Sequence, residues 1–202
     1  MSGARTRVAA ALEAAPRRLF LPRDQVAHAD RDEPLPIGHG QTNSQPTTVR
    51  QMLELLDVQP GDRVLDVGCG SGWTTALLAH LAGPSGSVDG VELVPQLVDF
   101  GAANLERAGV GTARVHQAHR DRLGWPEGAP YDRVLVSAQA VELPRDLLAQ
   151  LAPGGVMVVP VAGRMLRVLA DDDGPVVEEH GWYRFVPLVT GPSADGRWGQ
   201  PV

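Results

Sequence analysis

A chain of 202 residues, 43% hydrophobic and 21% charged, is long enough to bury a full core as one unit. Its formal net charge of −6, with no long basic run, argues against a nucleic-acid partner; no apolar run reaches the roughly 20 residues that span a bilayer, and no signal-peptide pattern opens the chain. The one cysteine, Cys69, excludes an internal disulfide framework and suits a reducing compartment, so a cytoplasmic location is expected.

In residues 4–14, Val8, Ala11 and Leu12 share one helical face, and Pro16 ends the run. Residues 21–46 are rich in Pro, Gly, Asp and polar side chains, which predicts loop. Pro46 stands where a helix can start, and Val49, Met52, Leu53 and Leu56 follow at helical spacing. From Asp62 onward the pattern alternates. Strands are predicted at 63–67, 87–92, 113–117, 132–137 and 155–160, and helices at 73–82, 95–108 and 144–151. Such alternation predicts an α/β fold, a mostly parallel, doubly wound sheet with helices on both faces. Residues 164–170, 175–180 and 182–189 read as strands joined by turns at Asp172-Asp173-Gly174 and His180-Gly181, which predicts an antiparallel edge. One domain over 1–202 is expected, in three stretches: an N-terminal helical and loop extension (1–46), a core (47–160) and C-terminal strands (161–202).

The stretch Val64-Leu65-Asp66-Val67-Gly68-Cys69-Gly70-Ser71-Gly72-Trp73 carries the most chemistry. A strand runs into a loop with Gly at every second position, and a helix follows at once. Gly lets a ligand approach the backbone closely, and the helix N-terminus favours a negative ligand group. A dinucleotide loop needs Gly-x-Gly-x-x-Gly, and Trp73 breaks that pattern. The Asp-x-Gly-x-Gly-x-Gly spacing of Asp66, Gly68, Gly70 and Gly72 resembles the S-adenosylmethionine loop of class I methyltransferases. Glu92 ends the next apolar run, 20 residues past Gly72, where an acid meets ribose hydroxyls in a Rossmann-like fold. Asp66 has two readings, receiving the methionine amino group through the loop or fixing the turn. Cys69 lacks the His/Asn surroundings of a nucleophile and reads as a packing residue.

The segment Pro34-Leu35-Pro36-Ile37-Gly38-His39-Gly40-Gln41-Thr42-Asn43-Ser44-Gln45-Pro46 resembles the protein-L-isoaspartate O-methyltransferase family, which carries Pro-Leu-Pro-Ile-Gly-x-Gly-Gln-Thr-Ile-Ser-Gln-Pro before its first core helix. The likeness continues through Val64 to Gly72, Ala129-Pro130-Tyr131-Asp132, Gln150 to Pro160 with Gly154-Gly155, and Arg184-Phe185-Val186-Pro187-Leu188. It implies a Rossmann-like methyltransferase fold with the last two strands interchanged relative to the common order. It also implies methyl transfer from S-adenosylmethionine, released as S-adenosylhomocysteine, to the α-carboxylate of an L-isoaspartyl residue in a peptide or protein. On this likeness Gln41, Thr42, Asn43, Asp66, Gly68, Gly70, Gly72, Glu92 and Asp121 bind the cofactor, and Ser44 orients the carboxylate. No metal is expected, and neither is a membrane or nucleic-acid partner; a monomer is.

A carboxylate with a reference pKa near 4 is already ionised at neutral pH, so it needs no general base. The task is to hold its oxygen in line with the methyl group and exclude water. His39, between two glycines, therefore reads as a loop histidine. Ser44 has a second reading as a helix N-cap before Pro46.

Three departures from the family stand out. Asn43 replaces its Ile. The family's Gly-Asp-Gly segment near the adenine is replaced by His119-Arg120-Asp121-Arg122, so Arg120 takes the acid's place without a gap and Asp121 with a one-residue slip. His28 replaces an aromatic, and Arg31-Asp32-Glu33 is unusually acidic. These keep further readings open: a carboxyl methyltransferase of one dedicated aspartyl peptide, a small-molecule O-methyltransferase, or a cofactor-binding protein without catalysis. If Asn43 tunes the site to another carboxylate, Asn43→Ile should raise activity on isoaspartyl peptides.

Overall fold

The computed structural model describes residues 2–189. Helix α1 (Ser2–Ala14) ends before Pro16, and a 3-10 turn at Arg17–Phe20 follows. The stretch predicted as loop holds structure of its own. A turn at Val26–His28 leads to an antiparallel pair, β1 (Leu35–Gly38) and β2 (Gln41–Asn43). Alternation explains the pair: Leu35 and Ile37 are buried while Pro36 and Gly38 are exposed. The connection Gly38-His39-Gly40 runs at φ of 92°, 54° and 71°, a path that two glycines make cheap. Leu35 and Ile37 then pack with Leu21 and Leu97, which fastens the hairpin to the body. Two buried residues in a polar, Pro- and Gly-rich stretch were too weak a period to read as strand.

Helix α2 (Pro46–Leu56) buries Val49, Met52, Leu53 and Leu56, as their spacing predicts. The alternating core follows: β3 (Arg63–Val67), α3 (Trp73–Ala82), β4 (Ser87–Glu92), α4 (Pro95–Arg107), β5 (Ala113–Gln117), β6 (Tyr131–Val136), α5 (Arg145–Leu148) and β7 (Leu151–Val161). Strands β8 (Arg164–Leu169) and β9 (Val176–Trp182) complete a seven-stranded sheet of order β5-β4-β3-β6-β7-β8-β9. The first five of these pair in parallel; β8 is antiparallel to both β7 and β9. The last two strands thus follow β7 in chain order, the interchange that the family likeness implies.

Period-two burial divides the core. Val64, Val88, Leu135, Val156 and Val158 face Val8, Leu53, Leu77 and Leu105 of the first four helices. Leu65, Val67, Val134, Val136, Met157 and Val159 face the other way, onto Leu147 and Leu151. Each such side chain contributes about 1.5–3 kcal/mol by leaving water. The second face is covered unequally. It carries the single-turn α5 and irregular chain bearing Leu123, Trp125, Leu143 and Leu188, not a second helical layer.

Two boundaries differ from expectation. The helix predicted at 144–151 stops at Leu148, because the chain already pairs as strand at Leu151. Register shifts between Tyr131↔Leu151 and Arg133↔Val156, and Gly155 fills the irregularity: a Cβ there would stand 2.8 Å from the Ala152 carbonyl oxygen. The strand predicted at 182–189 does not form. Instead β9 runs through the expected turn at His180-Gly181, absorbing it as an irregular step at Gly181 (φ 74°). The chain then leaves the sheet and lies along Gln139, whose N–H donates to the Val186 carbonyl and whose carbonyl accepts from Leu188 N–H. Pro187 between them has no N–H to extend a ladder.

Candidate active site

A cavity of about 620 Å³ opens beyond the carboxyl ends of the parallel strands, where sheet order reverses between β3 and β6. Ligands bind at such a point in open α/β sheets. Its walls are the turn after β3 (Val67 to Ser71), the chain after β4 (Glu92 to Gln96), the chain after β5 (Ala118 to Gly124), and Ser137 and Ala138 after β6. The N-terminal extension adds Ile37, His39 and Gln41 to Ser44, and the chain after β9 adds Val186 to Val189.

The glycine turn runs at positive φ at Gly68, Gly70 and Gly72 and is held by backbone bonds. Gly68 and Cys69 N–H donate to the Val91 carbonyl, and Gly70 N–H donates to Glu92 Oε2 at 3.0 Å. Gly70 (φ 53°) is also tight: a Cβ would stand 3.1 Å from Ile37 Cδ1. Gly72 (φ 81°) precedes α3 and faces Gly101, whose carbonyl would be 3.1 Å from an added Cβ. Gly68 and Gly70 therefore stand on the wall, while Gly72 packs behind it against α4.

Glu92 is 7% exposed and holds a fixed pose. Its Oε1 accepts from Leu93 and Val94 N–H at 2.7 and 2.9 Å, and Oε2 accepts from Gly70. A carboxylate has about four lone-pair sites, so one remains for a ligand hydroxyl. Asp66 lies beneath the turn and off the cavity wall. Its Oδ2 accepts from the Thr74 and Thr75 hydroxyls at 2.6 and 2.7 Å, fixing the start of α3, while Oδ1 is buried without a hydrogen-bond partner. Burial pushes its carboxyl up to about 6, against the pull of the two threonines. Burial likewise drives the Cys69 thiol well above its ordinary value, which keeps it protonated and inert.

Ser44 is half-buried on the wall. Helix α2 is capped from elsewhere: Asp32 accepts from Thr47 N–H at 2.8 Å, from the Thr47 hydroxyl at 2.7 Å and from Gln45 Nε2 at 3.1 Å. These bonds hold the Asp32 carboxyl below the usual carboxylate range. Gln45 occupies the N-cap position, and its side chain makes no cap bond to a backbone N–H of the helix. The Ser44 hydroxyl has no protein hydrogen-bond partner among the described residues and is free for a ligand. Asn43 is buried, with both ends of its amide used: Oδ1 accepts from Arg17 and Nδ2 donates to Ser71.

The sequence left Arg120 and Asp121 open, and both stand exposed on the wall. Trp125 braces their turn by stacking on His116 and His119 at 4.3 and 5.1 Å between ring centres. Gln150 ties its far end, donating to the Leu123 carbonyl at 2.8 Å and accepting from Trp125 N–H at 2.9 Å. Gln41, Thr42 and His39 line the mouth; His28 lies off the wall. Sequence reasoning assigned no role to Arg17, Asp32 or Gln150. The acidic excess of Arg31-Asp32-Glu33 carried a signal for Asp32, and Gln150 stood only as the start of a stretch of family likeness.

The family model of protein-L-isoaspartate(D-aspartate) O-methyltransferase matches residues 2–193. A protein-L-isoaspartate O-methyltransferase of Anaeromyxobacter dehalogenans is 49% identical over 195 residues, covering 93% of this chain and 91% of its own. One of Aeropyrum pernix is 46% identical over 189 residues, covering 91% and 72%. A solved structure described as a protein-L-isoaspartate O-methyltransferase superposes with a TM-score of 0.83 at 27% identity, over 93% of this chain and 62% of that one. Another, described as such an enzyme from Plasmodium falciparum in complex with S-adenosyl-L-homocysteine, gives 0.80 at 23% identity over 92% and 91%, a likeness of fold. By sequence along nearly its whole length and by the strand order of its sheet, the chain belongs to the protein-L-isoaspartate(D-aspartate) O-methyltransferase family.

Proposed function

We propose that this protein transfers the methyl group of S-adenosylmethionine to the free α-carboxylate of L-isoaspartyl residues in peptides and proteins. The observation that carries the reading is the Ser44 hydroxyl. It is unbonded and relieved of helix capping by Asp32, and it shares one cavity with Glu92 and the glycine turn. Relatives named for this activity, at 41–49% identity, support it.

The donor set fits S-adenosylmethionine. Glu92 offers an acceptor to ribose hydroxyls, Val67, Leu93 and Leu123 offer apolar contact to a base, and Gly68 and Gly70 let the backbone close on the ligand. Asp121 is assigned to the adenine side, with Gln41, Thr42 and Asn43 completing the wall at the hairpin. When bound, the cofactor supplies a methyl group already activated by a sulfonium. The chain's own task is positional. The Ser44 hydroxyl donates to one carboxylate oxygen and turns the other toward the methyl group. Asp66, off the wall, holds α3 in place through its threonines. A carboxylate nucleophile needs no proton removed, so the reaction asks for no base beside Ser44.

The test is labelled methyl transfer to an L-isoaspartyl peptide beside its L-aspartyl twin. Label on the isoaspartyl peptide alone is expected. Label on the aspartyl twin only, or on neither, overturns the reading.

A further inference from the structure

Methyl transfer as proposed above needs two segments in register: the glycine turn after β3 and Ser44 before α2. They lie far apart in sequence, and one buried side-chain relay joins them. It begins at Arg17, in the 3-10 turn after α1, whose side chain is 6% exposed and stands off the cavity wall. Its Nη2 donates to the carbonyls of Glu33, Asn43 and Ser44, each at 2.9 Å, and Nη1 donates to the Arg31 carbonyl at 3.0 Å. Its Nε donates to Asn43 Oδ1 at 2.7 Å. Asn43 Nδ2 passes the link on to Ser71 Oγ at 3.0 Å, inside the glycine turn. The Ser71 carbonyl is held in turn by Asn104 Nδ2 of α4 at 2.8 Å. The guanidinium also lies 5.5 Å from the ring centre of Trp73, the first residue of α3, and Trp73 Nε1 donates back to the Ala15 carbonyl at 3.0 Å.

Resting on the function proposed above, we infer that Arg17 is a positioning residue for methyl transfer, setting Ser44 against the cofactor turn through Asn43 and Ser71. A buried charge is costly unless its donors are satisfied. Here the charge is met by carbonyls of the very segment that must be held, among them those of Asn43 and Ser44. Burial lowers the guanidinium to about 10, so it stays charged across the neutral range. Lysine cannot replace it. A guanidinium spreads five donors over a rigid plane, whereas an ammonium gathers three at one point. Arg17 can therefore reach Asn43 Oδ1 through Nε, the Arg31 carbonyl through Nη1 and the carbonyls of Glu33, Asn43 and Ser44 through Nη2, and a lysine would leave part of that ring unbonded. Asn43, the departure from the family's isoleucine, has a role in this relay that needs no contact with a substrate carboxylate.

The experiment compares Arg17→Lys, Asn43→Ile and Asn43→Asp with the unmodified chain. It measures kcat and KM for an isoaspartyl peptide, affinity for S-adenosylhomocysteine, and melting temperature. A positioning role predicts that Arg17→Lys lowers kcat on the order of 10- to 100-fold, as small misplacements do, with KM and cofactor affinity little changed. Asn43→Ile, which keeps the bulk and loses both bonds, should also lower kcat. Asn43→Asp keeps an acceptor for Arg17 and another for the Ser71 hydroxyl, so it should restore most of the rate. If Arg17→Lys does not fold, the two Asn43 variants decide. Equal kcat per folded molecule in Asn43→Ile and the unmodified chain overturns the inference, as does an Asn43→Asp no faster than Asn43→Ile. If the unmodified chain fails to methylate the isoaspartyl peptide, the functional reading falls first and the inference with it.

Discussion

Ser44 and Glu92 divide the work of the site at the level of single atoms, and their substitutions should separate cleanly. Ser44 offers one hydroxyl with no protein partner among the described residues, so Ser44→Ala should spare cofactor affinity and lower kcat. One hydrogen bond to a charged oxygen is worth about 1.5–3 kcal/mol, which corresponds to a loss of roughly 10- to 150-fold. Because Asp32 caps α2, the melting temperature of Ser44→Ala should stay nearly unchanged; a marked drop would return the residue to a structural role. Glu92→Ala should show the opposite split. It removes the acceptor of three backbone N–H groups as well as the ribose contact, so S-adenosylhomocysteine should bind at least tenfold more weakly by calorimetry. Unchanged heat and affinity would remove Glu92 from the cofactor site. Asp121→Ala belongs to a milder class. It should raise the cofactor KM and leave saturated kcat nearly constant, as loss of uniform binding does, and a larger effect from Arg120→Ala would hand the adenine side to Arg120.

At the scale of elements, legibility followed the strength of each period. Helices α2 and α4 were readable because buried residues recur in them at spacings of three and four, whereas α3 and the central strands, buried nearly throughout, were readable as apolar runs between turn signals. The β1–β2 hairpin was not, since Leu35 and Ile37 are its only buried apolar pair and Pro, Gly and polar neighbours mask them. The capping of α2 was misplaced for a related reason. Sequence offers Ser44 as the nearest capping side chain, whereas the cap comes from Asp32, thirteen to fifteen residues upstream of the groups it bonds. Nothing local announces a cap made across a hairpin. It has a pH signature whose sign follows from its lowered pKa. A carboxyl depressed by folding contributes stability that is complete above its unfolded value near 3.8 and is lost as pH falls through the lower folded value. Asp32→Asn should thus lower the melting temperature at neutral pH, with the gap to the unmodified chain closing in acid below that window. A constant gap down to the most acidic point measured would show that charge plays no part in the cap.

For the molecule as a whole, the same linkage runs in the opposite direction at Asp66, the most buried charge under the glycine turn. Asp66 was legible as part of the Asp-x-Gly-x-Gly-x-Gly spacing, but the spacing could not say whether it faces the ligand or the helix, because that depends on Thr74 and Thr75 closing over it. Folding raises its carboxyl from 3.8 to about 6, so the native state holds a proton that the unfolded chain has already released. Stability from this group is therefore fully present below the unfolded value and declines as pH rises through the window between about 4 and 6, by about 3 kcal/mol in all. Above pH 6 the chain carries that deficit, offset by the Thr74 and Thr75 hydroxyls and by the rest of the core. Asp66→Asn isolates the effect. The amide cannot ionise, so the variant's unfolding free energy should lack this decline between pH 4 and 6. Its absolute stability at neutral pH is a poorer guide, because the new NH₂ would occupy a buried position that already lacks a partner and would bring its own penalty of about 1–3 kcal/mol. The slope carries the prediction. Denaturant titrations of both chains at half-unit steps should give a difference curve that tilts between pH 4 and 6 and is flat above. A flat difference across that whole window would mean that Asp66 is ionised throughout and that its buried oxygen finds a partner in solution.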